Sequence, residues 1–406
     1  MAFICFTCIQ DEHLRKLLED KRTKAQCSYC SKQGLAVEMH GVAKLIDPYL
    51  REYCCFGEMA PRFDGDDDNI EYVQEGSELI YFLQEELGME PDPVQELIRI
   101  LQENDPADPR DGGEPFYDEW QSYQRKCISS VEYIKNWQEF ADGIKHARRF
   151  FDSSAKVRLE RILGRPGSVI ASELPVIEIG QGTKVNAIYR ARRADSENEA
   201  KKFLRNPKKE LIPPESQKAI AGRMNPAGIT VFYGALAEET AIAEIRPFVG
   251  SLIVVGEFKA TRKLSLLNLP RLWYGFSGSI FNPEYEQKAD RLHFLQSFHA
   301  LIAKPVLPSE ESLEYLPTQA VAEYVAEILG FDGIIYASAQ LGRTTDEGAV
   351  IFTELSGEEL RQDNVVLFGK ALDSLAFVEG AARVAKINGV KYNYLLKHFP
   401  GMDNED

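Results

Sequence analysis

The sequence predicts an α+β protein: an N-terminal zinc knuckle plus helical domain, followed by a mixed α/β domain. Three observations predict it. Two Cys-x2-Cys pairs stand near the start of the chain. Behind them, apolar residues recur at helical spacing. Past Arg165-Pro166-Gly167 short β-branched runs alternate with helices. The expected parts are a zinc-knuckle region over 1–40, a helical domain over 41–165, an α/β domain over 176–370 and a C-terminal hairpin and tail over 371–406.

The 406 residues give a prior of two to three domains, and 44% hydrophobic with 27% charged residues is ordinary for a globular protein. The net charge of −16 speaks against broad nucleic-acid or anionic-membrane binding, which needs a cationic footprint, but leaves room for a local basic pocket. No apolar run has the length of a membrane span, and Met1 to Leu18 is too polar and too Cys-rich for a signal peptide. The expected location is the cytoplasm.

Cys5 with Cys8 and Cys27 with Cys30 form the two pairs, separated by eighteen residues. In a cytosolic chain this spacing reads as four thiolates on a structural zinc, a closed site with no open position. The competing reading is four reduced thiols in a core, with Cys54, Cys55 and Cys127 simply buried. A short helix is expected over Asp11 to Asp20. In the helical region, Val42, Leu45, Ile46, Tyr49 and Leu50 share a face, Ser77–Leu87 and Pro93–Leu101 read as helices, and Asp64–Asp68 and Asp105–Gly113 read as loops. Trp137, Phe140, Ile144, Ala147 and Phe151 form a packing stripe. His146 and Arg148 flank it in the wrong order for a ribonuclease pair.

Strands are expected at Val176–Ile179, Asn186–Ala191, Ile229–Tyr233, Leu252–Phe258, Leu264–Leu267, Gly333–Tyr336 and Ala349–Phe352, with helices at Leu236–Ile245, Asp290–Ala300 and Thr318–Leu329. Asn388-Gly389 between alternating residues predicts a hairpin. The most informative stretch runs from Gly222 to Pro247. Arg223 and Asn225 stand in a Gly- and Pro-rich loop that can present a cation, ahead of the Ile229–Tyr233 strand. Glu244 stands at the far end of the following Ala-rich helix, before Arg246 and Pro247. On spacing alone such a carboxylate is a surface charge or a catalytic acid.

IYRAR (Ile188–Arg192), GRMNPAGITVFYGALAEETAIAE (Gly222–Glu244), FDGIIYASA and AVIF resemble, in order and spacing, the RES family, across about Val176 to Phe368. WQEFADGIKHARRFF and the region before it resemble, more loosely, the HEPN/RES N-terminal region. The resemblance implies an ADP-ribosyltransferase-like fold and degradation of NAD+ by a toxin of a toxin–antitoxin pair. It matches Arg190 and Arg223 to the family's arginines, Glu244 to its glutamate and Ser338 to its serine. NAD+ as substrate gives these residues work. Arginine forks suit the pyrophosphate, and Arg192 is a weaker third because it shares a strand face with Arg190. Asn225 belongs to the expected NAD+-binding set, and Tyr233 offers an aromatic face for nicotinamide or ribose. Glu244 would stabilise the oxocarbenium-like ribose. Ser338 would position nicotinamide or a ribose hydroxyl.

Taken singly, each arginine would be a surface ion pair, Tyr233 a core tyrosine and Ser338 a turn residue; their joint order carries the functional reading. One position departs from the family. An Asn is expected four residues before the phenylalanine matched by Phe352, and Gly348 stands there, with Glu347 or Thr345 as the replacements at hand. The leading expectation is an NAD+ glycohydrolase whose N-terminal half controls or delivers it or binds a partner such as an antitoxin. ADP-ribosyl transfer to a protein or phosphate, a RES fold kept as a binding module, and a homo-oligomer stay open.

Overall fold

The computed structural model describes residues 1–63, 70–105, 114–128, 131–149, 153–274, 278–304, 306–307, 309–338 and 363–390. The chain divides into two compact units, Met1–Ser130 with Phe276–His293, and Val131–Gly275 with Phe294–Asp406. The helices over 131–172 thus fall with the C-terminal unit, where the sequence placed a boundary near 165.

The first unit runs β1 (Phe3–Cys5), α1 (Glu12–Leu17), β2 (Thr23–Gln26), β3 (Gln33–Glu38), α2 (Met39–Tyr53), β4 (Cys54–Phe56), β5 (Met59–Phe63), β6 (Ile70–Gln74), β7 (Ser77–Glu78), α3 (Leu79–Leu87), α4 (Pro91–Glu103) and β8 (Ser122–Arg125). The Asp11 side chain caps α1 by accepting from the Leu14 N–H at 2.7 Å. Helix α2 packs against α4 and buries Val42, Ile46 and Leu50 of the expected stripe together with Ala43, while Leu45 and Tyr49 are partly buried beside them. Helix α3 closes at Gly88, whose φ of 57° is the left-handed cap conformation.

The region read as purely helical also contains five strands, pairing as β4-β8-β7 and β5-β6. Each is two to five residues long, too short to leave a period in the sequence. The Asp64–Asp68 loop lies outside the described residues, as does most of Asp105–Gly113. Arg125 holds this unit together: it forks onto both Glu86 oxygens at 2.7 and 2.9 Å, donates to the Gly278 carbonyl and covers the Tyr285 ring.

The second unit opens with α5 (Val131–Asp142), α6 (Ser153–Leu163) and α7 (Val169–Ser172). Helix α5 continues as one wide π-turn, and Trp137, Phe140 and Ile144 pack into the core as their spacing predicts, whereas Ala147 is exposed; Phe151 lies outside the described residues. Then follow β9 (Val176–Gly180), β10 (Ala187–Ala194), α8 (Glu197–Arg205), α9 (Pro207–Leu211), β11 (Phe232–Ala235), α10 (Glu238–Glu244), β12 (Leu252–Ala260), β13 (Lys263–Asn268), α11 (Tyr285–Ala303), α12 (Glu311–Glu314), α13 (Leu316–Glu323), β14 (Gly333–Ala337), β15 (Asp363–Leu367), β16 (Leu375–Phe377) and β17 (Arg383–Lys386). The split between units falls inside α11.

Nine strands form one mixed sheet in the order β16-β12-β10-β11-β15-β14-β13-β9, with β17 also on β12. Among the described residues only β13 and β14 run parallel, as the long helical crossover between them permits. One face buries Phe232, Val254, Phe258 and Val365. The other buries Leu267, Ile334 and Val366 under Trp137, Phe294, Phe298 and Val325. This is the expected α+β fold. The strand expected at Ile229–Tyr233 starts only at Phe232 and runs to Ala235. Ala349–Phe352 lies outside the described residues, whereas Asp363–Leu367, not read as a strand, fills the sheet centre between β11 and β14. The first arm of the predicted Asn388-Gly389 hairpin instead pairs with β12, Leu252 opposite Lys386. Its return arm lies mostly outside the described residues.

Candidate active site

The tight turn ahead of β11 positions the first cation. Gly222 and Asn225 exchange backbone hydrogen bonds across it, and a Cβ at Gly222 would stand 2.7 Å from Tyr233 Oη. Only glycine fits that approach. Asn225 is buried, and its side chain builds the turn: Nδ2 donates to the carbonyls of Ile220, Pro226 and Ile229, and Oδ1 accepts from Tyr233 Oη at 2.8 Å. It does not line the cavity described below, so the expectation of direct ligand contact by Asn225 gives way to a supporting place behind Tyr233. The Tyr233 hydroxyl, tied also to the Met224 N–H, is equally committed to the turn, while its ring lines the cavity.

The turn aims Arg223 between two fixed groups. Its Nη1 donates to the Ile302 carbonyl at 2.6 Å, near the negative end of α11, and its guanidinium covers the Tyr315 ring at 4.9 Å. Thr318 and Gln319 of α13 hold the carbonyls of Arg223 and Gly222. Arg190, on β10, donates to the Tyr233 carbonyl at 2.9 Å and lies over Phe232 at 5.1 Å. Burial, with Arg192 adding to it, brings its pKa down to about 10, so it remains charged at neutral pH. Arg192 is elsewhere: it pairs with Glu210, stacks on Phe203 and takes no part in the cavity.

Glu244 ends α10. Its Oε1 accepts from Ser338 Oγ at 2.5 Å and from Asn364 Nδ2 at 2.9 Å, while Oε2 takes no hydrogen bond from the described residues. One oxygen is clamped by two strand ends and the other is left for something else. Asn364 was not anticipated. It stands four residues before Phe368, repeating the spacing expected at Gly348 and Phe352, which both lie outside the described residues. The signal was present in NVVLF, but AVIF offered a rival match.

These groups converge on one cavity of about 290 Å³, lined by Arg190, Arg223, Tyr233, Glu244, Arg246, Tyr315, Tyr336 and Asn364 among others. Ser338 is buried behind it and reaches it through Glu244. The lining holds three arginines and one carboxylate, and none of the three arginines has an acidic partner among the described residues. In a chain of net charge −16 that is a concentrated positive site. Burial, then the neighbouring Tyr233 and Glu244, pushes the Tyr336 phenol well above its usual range, so it stays protonated there. Arg246, Tyr315 and Tyr336 were not singled out from sequence; no spacing rule brings them to Glu244.

The four N-terminal cysteines also come together. Their sulfurs all lie within 4.8 Å of one another, with Cys5 to Cys30 at 3.4 Å and Cys5 to Cys8 at 3.6 Å. Tetrahedral zinc with Zn–S of about 2.3 Å would set sulfurs roughly 3.8 Å apart. Four thiols at this spacing fit the ion.

No curated protein and no solved structure gives a significant match to the chain. The family model described as RES domain, a family associated with NAD+-acting enzymes, matches residues 187–374, which contain every cavity residue named above. This part of the chain is a RES domain.

Proposed function

We propose that the protein is an NAD+ glycohydrolase that depletes NAD+ as a toxin or defence effector. One observation carries the reading: a carboxylate with one clamped oxygen, and one unengaged among the described residues, shares a cavity with three arginines that have no acidic partner among those residues. NAD+ fits this charge pattern. Its pyrophosphate carries two negative charges for the arginines, and the positive charge of its nicotinamide ring passes to the ribose as the bond breaks. At about 290 Å³ the cavity lies just below the usual range for ligand pockets, about 300–1,000 Å³. That suits the reacting end and the pyrophosphate rather than the whole dinucleotide.

In this mechanism Arg190 and Arg223 bind the pyrophosphate with charge-assisted hydrogen bonds. The faces of Tyr233 and Tyr336 enclose the nicotinamide riboside. The bond between ribose C1′ and the nicotinamide nitrogen breaks, and its electron pair leaves with nicotinamide. The Glu244 carboxylate, oriented by Ser338 and Asn364, stabilises the positive charge at C1′ and the ring oxygen. Water adds to C1′ and loses a proton, giving ADP-ribose, nicotinamide and H+. The four-cysteine group holds a structural zinc that takes no step in this reaction. The first unit serves control, delivery or partner binding, an antitoxin being the expected kind of partner.

The test is to incubate the purified full chain with NAD+, with and without phosphate, and to chromatograph the products. ADP-ribose and nicotinamide in equal amounts support hydrolysis. A phosphorylated or protein-linked ADP-ribose moves the reading to transfer, and intact NAD+ beside bound dinucleotide moves it to a binding module.

A further inference from the structure

Resting on the reading above, we infer that Arg246 is a third phosphate-binding residue, matched to the second phosphate of a diphosphate. Its backbone is the first observation. Arg246 follows the last turn of α10 with φ of 49°, one of two non-glycine residues with positive φ among the described residues. It also precedes Pro247, a position that favours extended backbone. An arginine in this left-handed conformation is strained where glycine would not be. The Arg246 N–H still closes the helix on the Ala243 carbonyl at 2.9 Å, as any residue could.

The side chain is the second observation. Arg246 lines the cavity with Glu244, two positions before it. Its guanidinium makes no hydrogen bond or ion pair among the described residues, whereas Arg190 and Arg223 are each fixed by a carbonyl. The three cations come from three elements: β10, the turn before β11, and the end of α10. Arg223 covers the Tyr315 ring at 4.9 Å, and Tyr315 lines the cavity together with Arg246. With Glu244 reserved for the sugar cation, three positive charges face an anion, more than one monoester phosphate offers. A helix end that turns left-handed just after Glu244 sets the catalytic carboxylate and this cation in a fixed relation.

The test uses ADP and AMP, which the protein does not cleave at a nicotinamide bond, and reads binding by calorimetry on the full chain. Wild type binds ADP about 10-fold or more tightly than AMP, the effect of one added charge-assisted contact. Arg246→Ala removes that preference and leaves AMP affinity unchanged, and Arg246→Lys retains part of it. Arg246→Gly loses the preference while melting at a higher temperature, because the backbone strain is relieved. Arg192→Ala, outside the cavity, changes neither affinity. Unchanged ADP preference in Arg246→Ala, or no preference in wild type, overturns the inference. Retained preference-and-loss behaviour in a protein that leaves NAD+ intact would sink the glycohydrolase reading alone.

Discussion

Arg125 of the first unit and Arg223 of the second are both tucked against aromatic rings and both donate to a backbone carbonyl. They differ in one respect. Arg125 forks onto Glu86, and nearby Arg51 likewise meets Asp47 and Asp105, so these cations are neutralised inside the protein. Arg223 and Arg190 meet carbonyls and rings, Arg246 meets neither, and none of the three pairs with a carboxylate among the described residues. Under the proposed function, the pairing of arginines separates residues that hold the fold from residues that bind the dinucleotide.

Substitutions sharpen that contrast, beginning with the largest effect. Arg125→Ala leaves the Glu86 carboxylate buried without its counter-charge and should cost roughly 3–5 kcal/mol of stability in urea unfolding. Below its new midpoint the variant should cleave NAD+ at the wild-type rate. A stability loss under 1 kcal/mol would mean that the pairing distinction has no energetic content. Arg223→Ala should do the reverse, raising KM for NAD+ by about 10-fold or more through lost charge-assisted binding, with kcat much less affected.

Gly222→Ala tests whether the turn sets Arg223. Its Cβ would press on Tyr233 Oη and Asn225 Oδ1, at 2.7 and 2.9 Å, so KM should rise in the same sense as for Arg223→Ala but less. Cys27→Ser should lower the melting temperature and the zinc content, read by metal analysis, without altering the cleavage chemistry. Glu239→Gln is expected to move stability by only a few tenths of a kcal/mol, through the helix dipole, with no change in rate. Glu238 does not serve as that control, since it pairs with Arg383 of β17.

What the sequence disclosed follows the same division. Arg190, Arg223, Glu244 and Ser338 were legible through the resemblance of their blocks to the RES family, since taken singly each reads as a surface, turn or core residue. The structure brings all four to one place. Asn364 was hidden by a rival apolar run ending in phenylalanine, and Arg246 by a backbone turn that sequence does not announce at a non-glycine residue. Asn225 was read as a ligand contact because a loop asparagine can be either a contact or a turn builder, and composition does not decide between them. The helices of the first unit were visible through their 3.6-residue stripes. Its strands, two to six residues long, were not, because pairing rather than local pattern makes them.

The central claim is that Glu244, clamped on one oxygen by Ser338 and Asn364, acts on the cation that forms as NAD+ breaks. Single-turnover cleavage of NAD+ by Glu244→Gln, set beside wild type and Glu239→Gln, tests it most directly. The substitution keeps size and polarity and removes the charge. The rate should fall by about 10²–10³, the usual effect of losing one preorganised electrostatic contact, while NAD+ affinity changes little because the arginines hold the pyrophosphate in ground and transition states alike. Equal rates for Glu244→Gln and Glu239→Gln would contradict the account.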